Sequence, residues 1–205
     1  MLLAIDTSAG TSVAVVDRDA GILAEHSEAD TRRHAEVIGD LIQAALRDSG
    51  VAVTDLSGVA VGMGPGPFTG LRVGIAAARA FAFGAGKPVV PVVSHDAIAF
   101  GATEPLLVVT DARRREVYWS TYSGTDGVGL PVRVAGPGLV QPAALAEVVP
   151  GFAGYRRLDA ATVSAASIGL VAELLYLHNR PFAGDQALYL RSPDVTPSAG
   201  PKRVS

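Results

Sequence analysis

The chain has 205 residues, which is enough for one large domain or two small ones. Apolar residues make up 49% of the chain and charged residues only 18%, so a substantial core can form. The net charge of −3 argues against strong, direct binding of nucleic acid by this chain alone. The absence of cysteine excludes disulfides, thiolate nucleophiles and cysteine zinc sites. Without a signal-peptide pattern or an apolar run of about 18 residues, the sequence predicts a cytoplasmic protein.

The first strand is predicted over residues 2–5 and ends on three polar residues, Asp6, Thr7 and Ser8. A tight turn then leads into an antiparallel return strand over residues 12–17. An aspartate at such a turn can orient Mg²⁺ or water, while hydroxyls and turn N–H groups hold phosphate oxygens. These three residues are therefore candidates for cofactor binding. The alternative is a turn whose polar side chains bond the local backbone, and this segment alone does not decide between the two.

A third strand over residues 21–27 precedes a predicted helix over residues 31–48. Thr31 is the expected N-cap and Gly50 the expected terminator. Apolar residues recur along the helix at helical spacing, which predicts one broad face toward the core. His34 lies in the first turn. Because no second histidine follows three or four residues later, we expect His34 to be structural rather than a metal ligand.

A glycine- and proline-rich stretch, residues 64–74, connects a short apolar strand to a helix of small residues. Backbone N–H groups in such a loop can bind phosphate. However, the stretch lacks the Gly-Lys-Ser/Thr ending of a P-loop and the glycine spacing of the dinucleotide motif. Gly70, Gly74, Ala77 and Ala78 share one helical face, where small side chains let two backbones approach closely. Close packing is therefore favoured over phosphate binding.

A strand over residues 89–93 and a short helix up to residue 100 complete the first pattern. Ser94, His95 and Asp96 are expected to cap that helix. Five strands and three helices in this order are typical of one α/β half. We therefore predict a first domain at residues 1–102, which carries the helices expected to bind a partner.

The same pattern starts again after residue 105. A strand over residues 106–111 ends on Asp111, as the first strand ends on an aspartate. The turn that follows contains Arg113, Arg114 and Arg115. Because a basic turn between two strands is usually solvated, we expect a hairpin tip in water rather than a phosphate site.

Beyond this tip the pattern predicts shorter elements than in the first half. They are a return strand at 116–123, a third strand at 131–134, a short helix at 142–149, a strand or loop at 151–154 and a helix at 162–178. The sequence thus predicts a duplicated α/β fold, with a smaller second half at residues 103–191. The tail at residues 192–205 is expected to be flexible, since it contains prolines and almost no core-forming residues.

Several motifs spread over the chain resemble one known family. They are residues 3–8, residues 33–36, the Gly-Pro-Gly-Pro-Phe-Thr-Gly-Leu-Arg-Val-Gly stretch at 64–74, residues 110–113 with 116–118, and residues 188–191. Together they resemble the TsaB (YeaZ-type) family, a subunit of the bacterial machinery for threonylcarbamoyladenosine in tRNA. The resemblance implies two related actin-like ATPase (ASKHA, RNase H-like) halves, with mixed sheets flanked by helices and the second half abbreviated. Pro67 departs from the family pattern, which usually has serine there, and a loop should tolerate this change.

The resemblance also implies a function. TsaB is regarded as a non-catalytic scaffold or activator, while TsaD transfers the threonylcarbamoyl group to the adenosine beside the anticodon of tRNAs that read A-starting codons. The ATPase TsaE engages the same complex. We therefore expect this chain to bind TsaD as a heterodimer, to involve TsaE, and to reach tRNA only through the complex. No cofactor is expected on this chain alone and no membrane association; ATP or ADP with Mg²⁺ could bind in the complex.

The residues themselves indicate whether this chain could hold the metal of its catalytic relatives. Catalytic relatives hold a metal with a His-x-x-x-His pair, two imidazoles one helical turn apart. Here His95 occupies the first position and Ala99 the second. One imidazole without a nearby cysteine or second histidine does not make a tight metal site. The resemblance and this substitution together predict neither a metal site nor catalytic residues in this chain.

The partner interface is expected on two helices, those starting near residues 31 and 68. Both carry apolar or small residues over much of their circumference, and two such helices can pair with the matching two of a homologous subunit. The residues predicted for this surface are His34, Ile38, Leu41, Ile42, Ala45, Leu71, Gly74 and Ala78. The same surface is expected to form a homodimer when the chain is alone.

The alternative is an enzyme in its own right, either a stand-alone ASKHA-type ATPase or kinase or a glycoprotease-like hydrolase. An ATPase would use carboxylates for Mg²⁺ and for attack, and Asp6 and Asp111 are available for those roles. The shortened second half, without a clear adenosine-binding Gly-Gly loop, argues against it. No evident Ser/His/Asp set favours a hydrolase.

Overall fold

The computed structural model describes residues 1–191, and the predicted flexible tail at 192–205 lies outside the described residues. The first sheet has the strand order β3-β2-β1-β4-β5. Its strands β1 to β3 are antiparallel neighbours, while β4 and β5 run parallel to β1. The bounds of the five strands are β1 Leu2–Asp6, β2 Thr11–Asp17, β3 Gly21–Glu28, β4 Gly58–Gly62 and β5 Val89–Val92.

Helices cover both faces of the first sheet because its central strands are apolar on both sides. One face carries Leu3 and Ile5 and packs against the first two helices, α1 His34–Ser49 and α2 Phe68–Ala85. The opposite face carries Leu2 and Ala4, since successive side chains of a strand alternate. It packs against two further helices, α3 Ser94–Ala99 and α5 Ala165–Leu177.

The second sheet is smaller and follows the same plan. Within residues 1–191 it has four strands in the order β8-β7-β6-β9, with β9 parallel and β7 antiparallel to β6. Their bounds are β6 Leu106–Asp111, β7 Val117–Thr125, β8 Pro131–Val140 and β9 Arg156–Asp159. Helix α4, Leu145–Val148, packs on this sheet through Leu145. The predicted mixed α/β class, with two mixed sheets flanked by helices, is confirmed.

Helix α5 follows the second sheet in sequence but packs against the first sheet. Gly169 allows this contact, because a Cβ there would lie 2.5 Å from a methyl of Val16. The start of α5 is held by Glu25 of β3, whose Oε1 accepts from the Ser164 hydroxyl at 2.8 Å and from the Ala166 N–H at 3.1 Å. The C-terminal part of the chain is thus bound to the N-terminal sheet.

Helix boundaries differ from the prediction at N-termini more than at C-termini. Helix α1 begins at His34 rather than near Thr31, because Asp30 forms a local turn first: its Oδ1 accepts from the Arg32 N–H at 3.0 Å. Thr31 is therefore not the N-cap. The end is as predicted, since Gly50 adopts a left-handed conformation with φ of 68°.

The second half differs in two further elements. Strand β8 runs to Val140, well beyond the predicted end at residue 134. Residues 152–154 form a 3₁₀ turn, and the strand in this region is β9, which follows that turn. In the part of the chain that the structure describes, no helix is both long and apolar enough to cross a membrane.

Candidate functional site

Asp6, the candidate carboxylate of the first hairpin, is buried inside the protein. Its exposed fraction is 1%. Oδ1 accepts from the backbone N–H and the hydroxyl of Ser8 at 2.7 and 2.6 Å, and Oδ2 accepts from the Ser94 hydroxyl at 2.6 Å. The Ser94 oxygen in turn accepts from the Gly64 N–H at 3.0 Å. Both carboxylate oxygens are thus used to join β1, the glycine-rich loop and α3.

The surroundings of Asp6 also disfavour its charge. Burial raises the pKa of Asp6, and hydrogen bonds from Ser8 and Ser94 offset part of that rise. Gly62 of the neighbouring strand lies directly against this carboxylate, and a Cβ there would lie only 1.8 Å from Oδ2. Ser94 is therefore part of this cluster and not a helix cap; the N-cap of α3 is Val93.

The glycines of the loop at 64–74 allow a close approach to the first hairpin turn. A Cβ at Gly66 would lie 2.9 Å from the Ser8 Cα, one at Gly70 2.6 Å from the Thr7 carbonyl oxygen, and one at Gly74 2.1 Å from the Thr7 hydroxyl. The Thr7 hydroxyl donates to the Gly70 carbonyl at 2.8 Å. The close-packing interpretation is thus confirmed within the chain: the glycines fit α2 against the turn.

His95 is a fully buried residue of the core between the halves. Nδ1 lies 2.8 Å from the Ser120 hydroxyl and Nε2 lies 2.9 Å from the Thr110 hydroxyl, so both ring nitrogens are engaged. Burial, with a smaller effect of the positive charge of Arg133, lowers the pKa of His95 to about 3. The imidazole is neutral and links α3 to the second sheet. Among residues 1–191, no group of three or more His, Asp or Glu side chains is arranged to hold a metal ion.

The residues predicted for the partner interface lie mostly inside the chain. Leu41 and Ile42 keep partial exposure, while six residues are buried: His34, Ile38, Ala45, Leu71, Gly74 and Ala78. Four of these six, Ile38, Ala45, Leu71 and Ala78, pack in the core under α1 and α2, and we reassign those four to the core. Binding through the outward faces of α1 and α2 stays a prediction.

A cleft of about 550 Å³ lies between the two halves. Its floor is the first turn of α2, and His34 lies at its side. The opposite wall is the hairpin between β6 and β7, from which Arg113 and Arg114 line the cleft. Sequence reasoning treated this hairpin as a solvated tip and missed the cleft. The repeated strand-Asp-turn pattern was the signal available, since it places two hairpins at equivalent positions.

His34 is a buried residue at the side of this cleft. Nδ1 lies 2.7 Å from the Thr11 hydroxyl, so the structural role predicted for His34 has a partner. Burial lowers the pKa of His34, and the positive charge of Arg113 lowers it further. The negative charge of Asp30 opposes these two effects but does not cancel them, so His34 is mainly neutral at neutral pH.

A C-terminal strap, residues 179–191, contributes Tyr189 and Arg191 to the lining of the cleft. Its backbone is anchored by hydrogen bonds from the Ala183 N–H to Pro91 and from the Leu188 N–H to Met63, at 3.1 and 2.8 Å. The Tyr189 ring then contacts the Phe68 ring, with centroids 4.8 Å apart. Arg191, paired with Glu116 of the second half, also lines the cleft.

Comparison with known proteins places this chain among proteins of tRNA modification. The family model of TsaD, described as tRNA N6-adenosine threonylcarbamoyltransferase, matches residues 16–169. An uncharacterized protein of Mycobacterium tuberculosis is 42% identical over 202 residues, which cover 97% of this chain and 95% of that protein. The tRNA threonylcarbamoyladenosine biosynthesis protein TsaB of Escherichia coli is 37% identical over 126 residues, 59% of this chain and 54% of its own length.

Among solved structures, YeaZ from Pseudomonas aeruginosa has a similar fold over almost the whole chain. The TM-score is 0.75 at 26% sequence identity, and the match covers 93% of this chain and 99% of that one. The predicted resemblance to the TsaB (YeaZ-type) family and the predicted actin-like fold are both confirmed by these matches.

Proposed function

We propose that this chain, which belongs to the family of TsaD, tRNA N6-adenosine threonylcarbamoyltransferase, is a non-catalytic scaffold subunit in the biosynthesis of tRNA threonylcarbamoyladenosine. Within that family it resembles the TsaB (YeaZ-type) members. In this role it binds and activates TsaD, which carries out the transfer to the adenosine beside the anticodon. TsaE completes the complex. tRNA is reached through the complex, and ATP or ADP with Mg²⁺ is used there. The chain works in the cytoplasm.

The sealed Asp6 is the observation that best supports a non-catalytic role. A carboxylate that binds Mg²⁺ or activates water must present an oxygen to the ligand. Both oxygens of Asp6 accept hydrogen bonds from Ser8 and Ser94 inside the protein, and its exposed fraction is 1%. Asp6 therefore holds parts of the fold together and has no oxygen to present to a ligand.

The outward face of α2 is the surface that we propose for TsaD. Ala76, Ala80 and Phe83 are exposed on this helix, and the exposed fraction of Phe83 is 90%. These residues recur at helical spacing, and small side chains allow a helix of a partner to approach closely. Leu41 and Ile42 on α1 are partly exposed, and α1 contacts α2. Without TsaD, the same face forms a homodimer.

Reconstitution tests this function. Purified TsaD, TsaE and unmodified tRNA are combined with the threonylcarbamoyl-adenylate donor, with and without this chain, and threonylcarbamoyladenosine is measured by mass spectrometry of nucleosides. We expect formation only when the chain is present, with a dose response that saturates near equal amounts of chain and TsaD. Equal product formation without the chain would contradict the proposal.

A further inference from the structure

We propose that two arginines of α2, Arg72 and Arg79, select a partner surface that presents carboxylates, and that the C-terminal strap holds both guanidinium groups in place for this contact. The inference rests on the proposed function, in which the outward face of α2 binds TsaD. It adds the charge that the facing surface of TsaD must carry. The charge of α2, the contacts of the two arginines and their spacing carry the proposal.

The charge of α2 differs from that of the rest of the chain. The helix contains two arginines and no aspartate or glutamate, although the whole chain has a net charge of −3. Helix α1, which contacts α2, carries the opposite excess, with three carboxylates and one arginine, Arg47. Arg47 pairs with Asp48 of the same helix. Positive charge on this two-helix surface is therefore concentrated on α2.

Both arginines of α2 keep donors available for a carboxylate. Their side chains are exposed, and neither forms an ion pair with a carboxylate of residues 1–191. The Arg72 guanidinium lies over the Phe68 ring, 3.8 Å from its centroid. Arg79 donates from Nη2 to the backbone carbonyl of Asp185 at 2.5 Å. Because a guanidinium has five N–H donors, most donors of both groups remain for a partner.

The strap restrains both guanidinium groups. Its Tyr189 ring contacts the Phe68 ring that supports Arg72, with centroids 4.8 Å apart, and its Asp185 carbonyl accepts from Arg79. The strap backbone is itself hydrogen-bonded to the first half of the chain. A long side chain that is already restrained loses less conformational entropy when it forms an ion pair. The strap therefore prepares the two arginines for a partner.

The spacing of the two arginines describes the surface that they fit. They are seven residues apart, so they lie on one face of α2 and are separated by about 10 Å along its axis. Ala76 lies exposed between them, beside a groove of about 420 Å³ between α2 and the strap. The one carboxylate that lines this groove, Asp185, accepts from the Gln186 amide at 3.2 Å. A partner helix with two carboxylates two turns apart matches this arrangement, and the small Ala76 side chain allows its close approach.

Charges at an interface act mainly on the rate of association and on the choice of partner. The exposed small residues of α2 supply the packing surface, while the two arginines attract an acidic surface and disfavour a basic one. Salt screens this attraction, since the Debye length falls from about 10 Å at 0.1 M to about 3 Å at 1 M ionic strength. The association rate at two salt concentrations therefore separates the effect of charge from that of packing.

Surface plasmon resonance of the full chain over immobilised TsaD tests the proposal, at about 50 mM and about 500 mM NaCl. We expect the association rate constant of the wild type to fall at least about fivefold at the higher salt. The test variant is the double substitution Arg72→Gln with Arg79→Gln, which removes both charges and keeps long polar side chains. It should associate at least about fivefold more slowly at the lower salt and within about twofold of wild type at the higher salt. Arg79→Lys keeps the charge and should stay within about twofold.

The matched control is Arg156→Gln with Arg157→Gln, which removes the same number of positive charges from exposed positions of β9. It should change the association rate less than about twofold. Circular dichroism and the melting temperature verify folding, and the single variant Arg72→Gln replaces the double variant if that one does not fold. The proposal is overturned if salt leaves the wild-type rate unchanged, or if the control slows association as much as the test variant. It is also overturned if the test variant alters only self-association of the chain, which would make a second copy the occupant.

The same measurements separate this inference from the proposed function. If Ala80→Glu prevents binding of TsaD while the glutamine variants associate at the wild-type rate, only the role of the two arginines is overturned. If TsaD does not bind the wild-type chain, the proposed function is overturned together with it.

Discussion

The two hairpins that face the cleft start from the same pattern and differ in what they do. In each half a buried strand ends on an aspartate and returns through a tight turn. In the first hairpin Asp6 is sealed by Ser8 and Ser94, and the glycine-rich loop packs directly on the turn. In the second, Asp111 is exposed and the turn projects arginines in a strained backbone. The first hairpin is thus part of the core, whereas the second lies at the wall of the cleft.

Substitutions in the packing of the first hairpin should cause the largest loss of stability. Gly74→Ala would place a Cβ 2.1 Å from the Thr7 hydroxyl, and we expect the free energy of unfolding to fall by about 2–3 kcal/mol. Urea denaturation measures this change. The matched control is Gly84→Ala on the same helix, where a Cβ meets nothing within 4 Å. It should be neutral or stabilise by up to about 1 kcal/mol, because alanine favours helix over glycine. Equal effects of the two variants would refute the packing account.

Acid sensitivity should separate two buried groups of the first half, His95 and Asp6. His95 has a folded-state pKa of about 3, while the unfolded chain takes up a proton near 6.5. Its contribution to stability is therefore complete above pH 6.5 and is lost as the pH falls toward 3, by about 1.4 kcal/mol per pH unit. Asp6 acts in the opposite direction, because its raised pKa favours the folded state as the pH falls toward the ordinary value of 3.8.

A comparison of the wild type with His95→Gln isolates the contribution of His95 to the pH dependence of stability. Unfolding free energies measured between pH 6.5 and 5 should decrease with falling pH more steeply in the wild type, with a difference in slope that rises to about 1.4 kcal/mol per pH unit. Parallel profiles would show that His95 is charged in the folded state, contrary to its buried environment. The hydroxyls of Ser120 and Thr110 give the glutamine amide hydrogen-bond partners, which favours folding of this variant.

Relief of the backbone strain in the second hairpin should increase the stability of the protein. Arg115→Gly relieves a positive φ of 64°, and we expect the free energy of unfolding to rise by about 1 kcal/mol. Arg115→Ala removes the same charge and keeps the strain, so it should stay near wild type. Thermal denaturation of both variants checks this prediction. A gain for alanine equal to that for glycine would show that charge repulsion, rather than backbone strain, limits the stability of the hairpin.

Substitutions on the outward face of α2 should weaken assembly with TsaD without changing the fold. Ala80→Glu places a charge on an exposed helical position, and we expect loss of co-elution with TsaD in size-exclusion chromatography and an unchanged melting temperature. Ala146→Glu, on the exposed side of α4, introduces the same charge elsewhere and should not change co-elution. Co-elution of both variants at the wild-type ratio would exclude the α2 face as the TsaD surface.

Local signals predicted much of the fold. The strand-Asp-turn pattern at Asp6 and Asp111 gave the two hairpins, and the glycine after α1 marked the end of that helix, since both depend on a few neighbouring residues. Strand β9 was missed because its sequence, Arg156–Asp159, is mostly charged and becomes a strand only by pairing with β6. The packing of α5 on the first sheet has no local signal, because it depends on contacts with Glu25 far away in sequence.

The candidate site was predictable only in part. The glycines of α2 were correctly assigned to close packing within the chain; they meet the turn at Thr7, and Gly70 also lies close to His34 of α1. Apolar spacing on α1 and α2 could not distinguish the side that faces the sheet from the side that faces solvent, so Ala45 and Ala78 were placed in the interface although both are buried. The basic turn between β6 and β7 was assigned to solvent because its opposite wall comes from the other half of the chain.

The most direct test of the central claim is the activity of an Asp6→Asn variant in the reconstituted synthesis of threonylcarbamoyladenosine. Asparagine keeps the shape of the side chain and an acceptor for Ser8, so the fold should survive. If the first hairpin is structural, product should form at a rate within about twofold of wild type, whereas removal of a catalytic acid–base group lowers rates about 10²–10⁴-fold. A loss of that size in a variant that is folded and bound to TsaD would contradict the account.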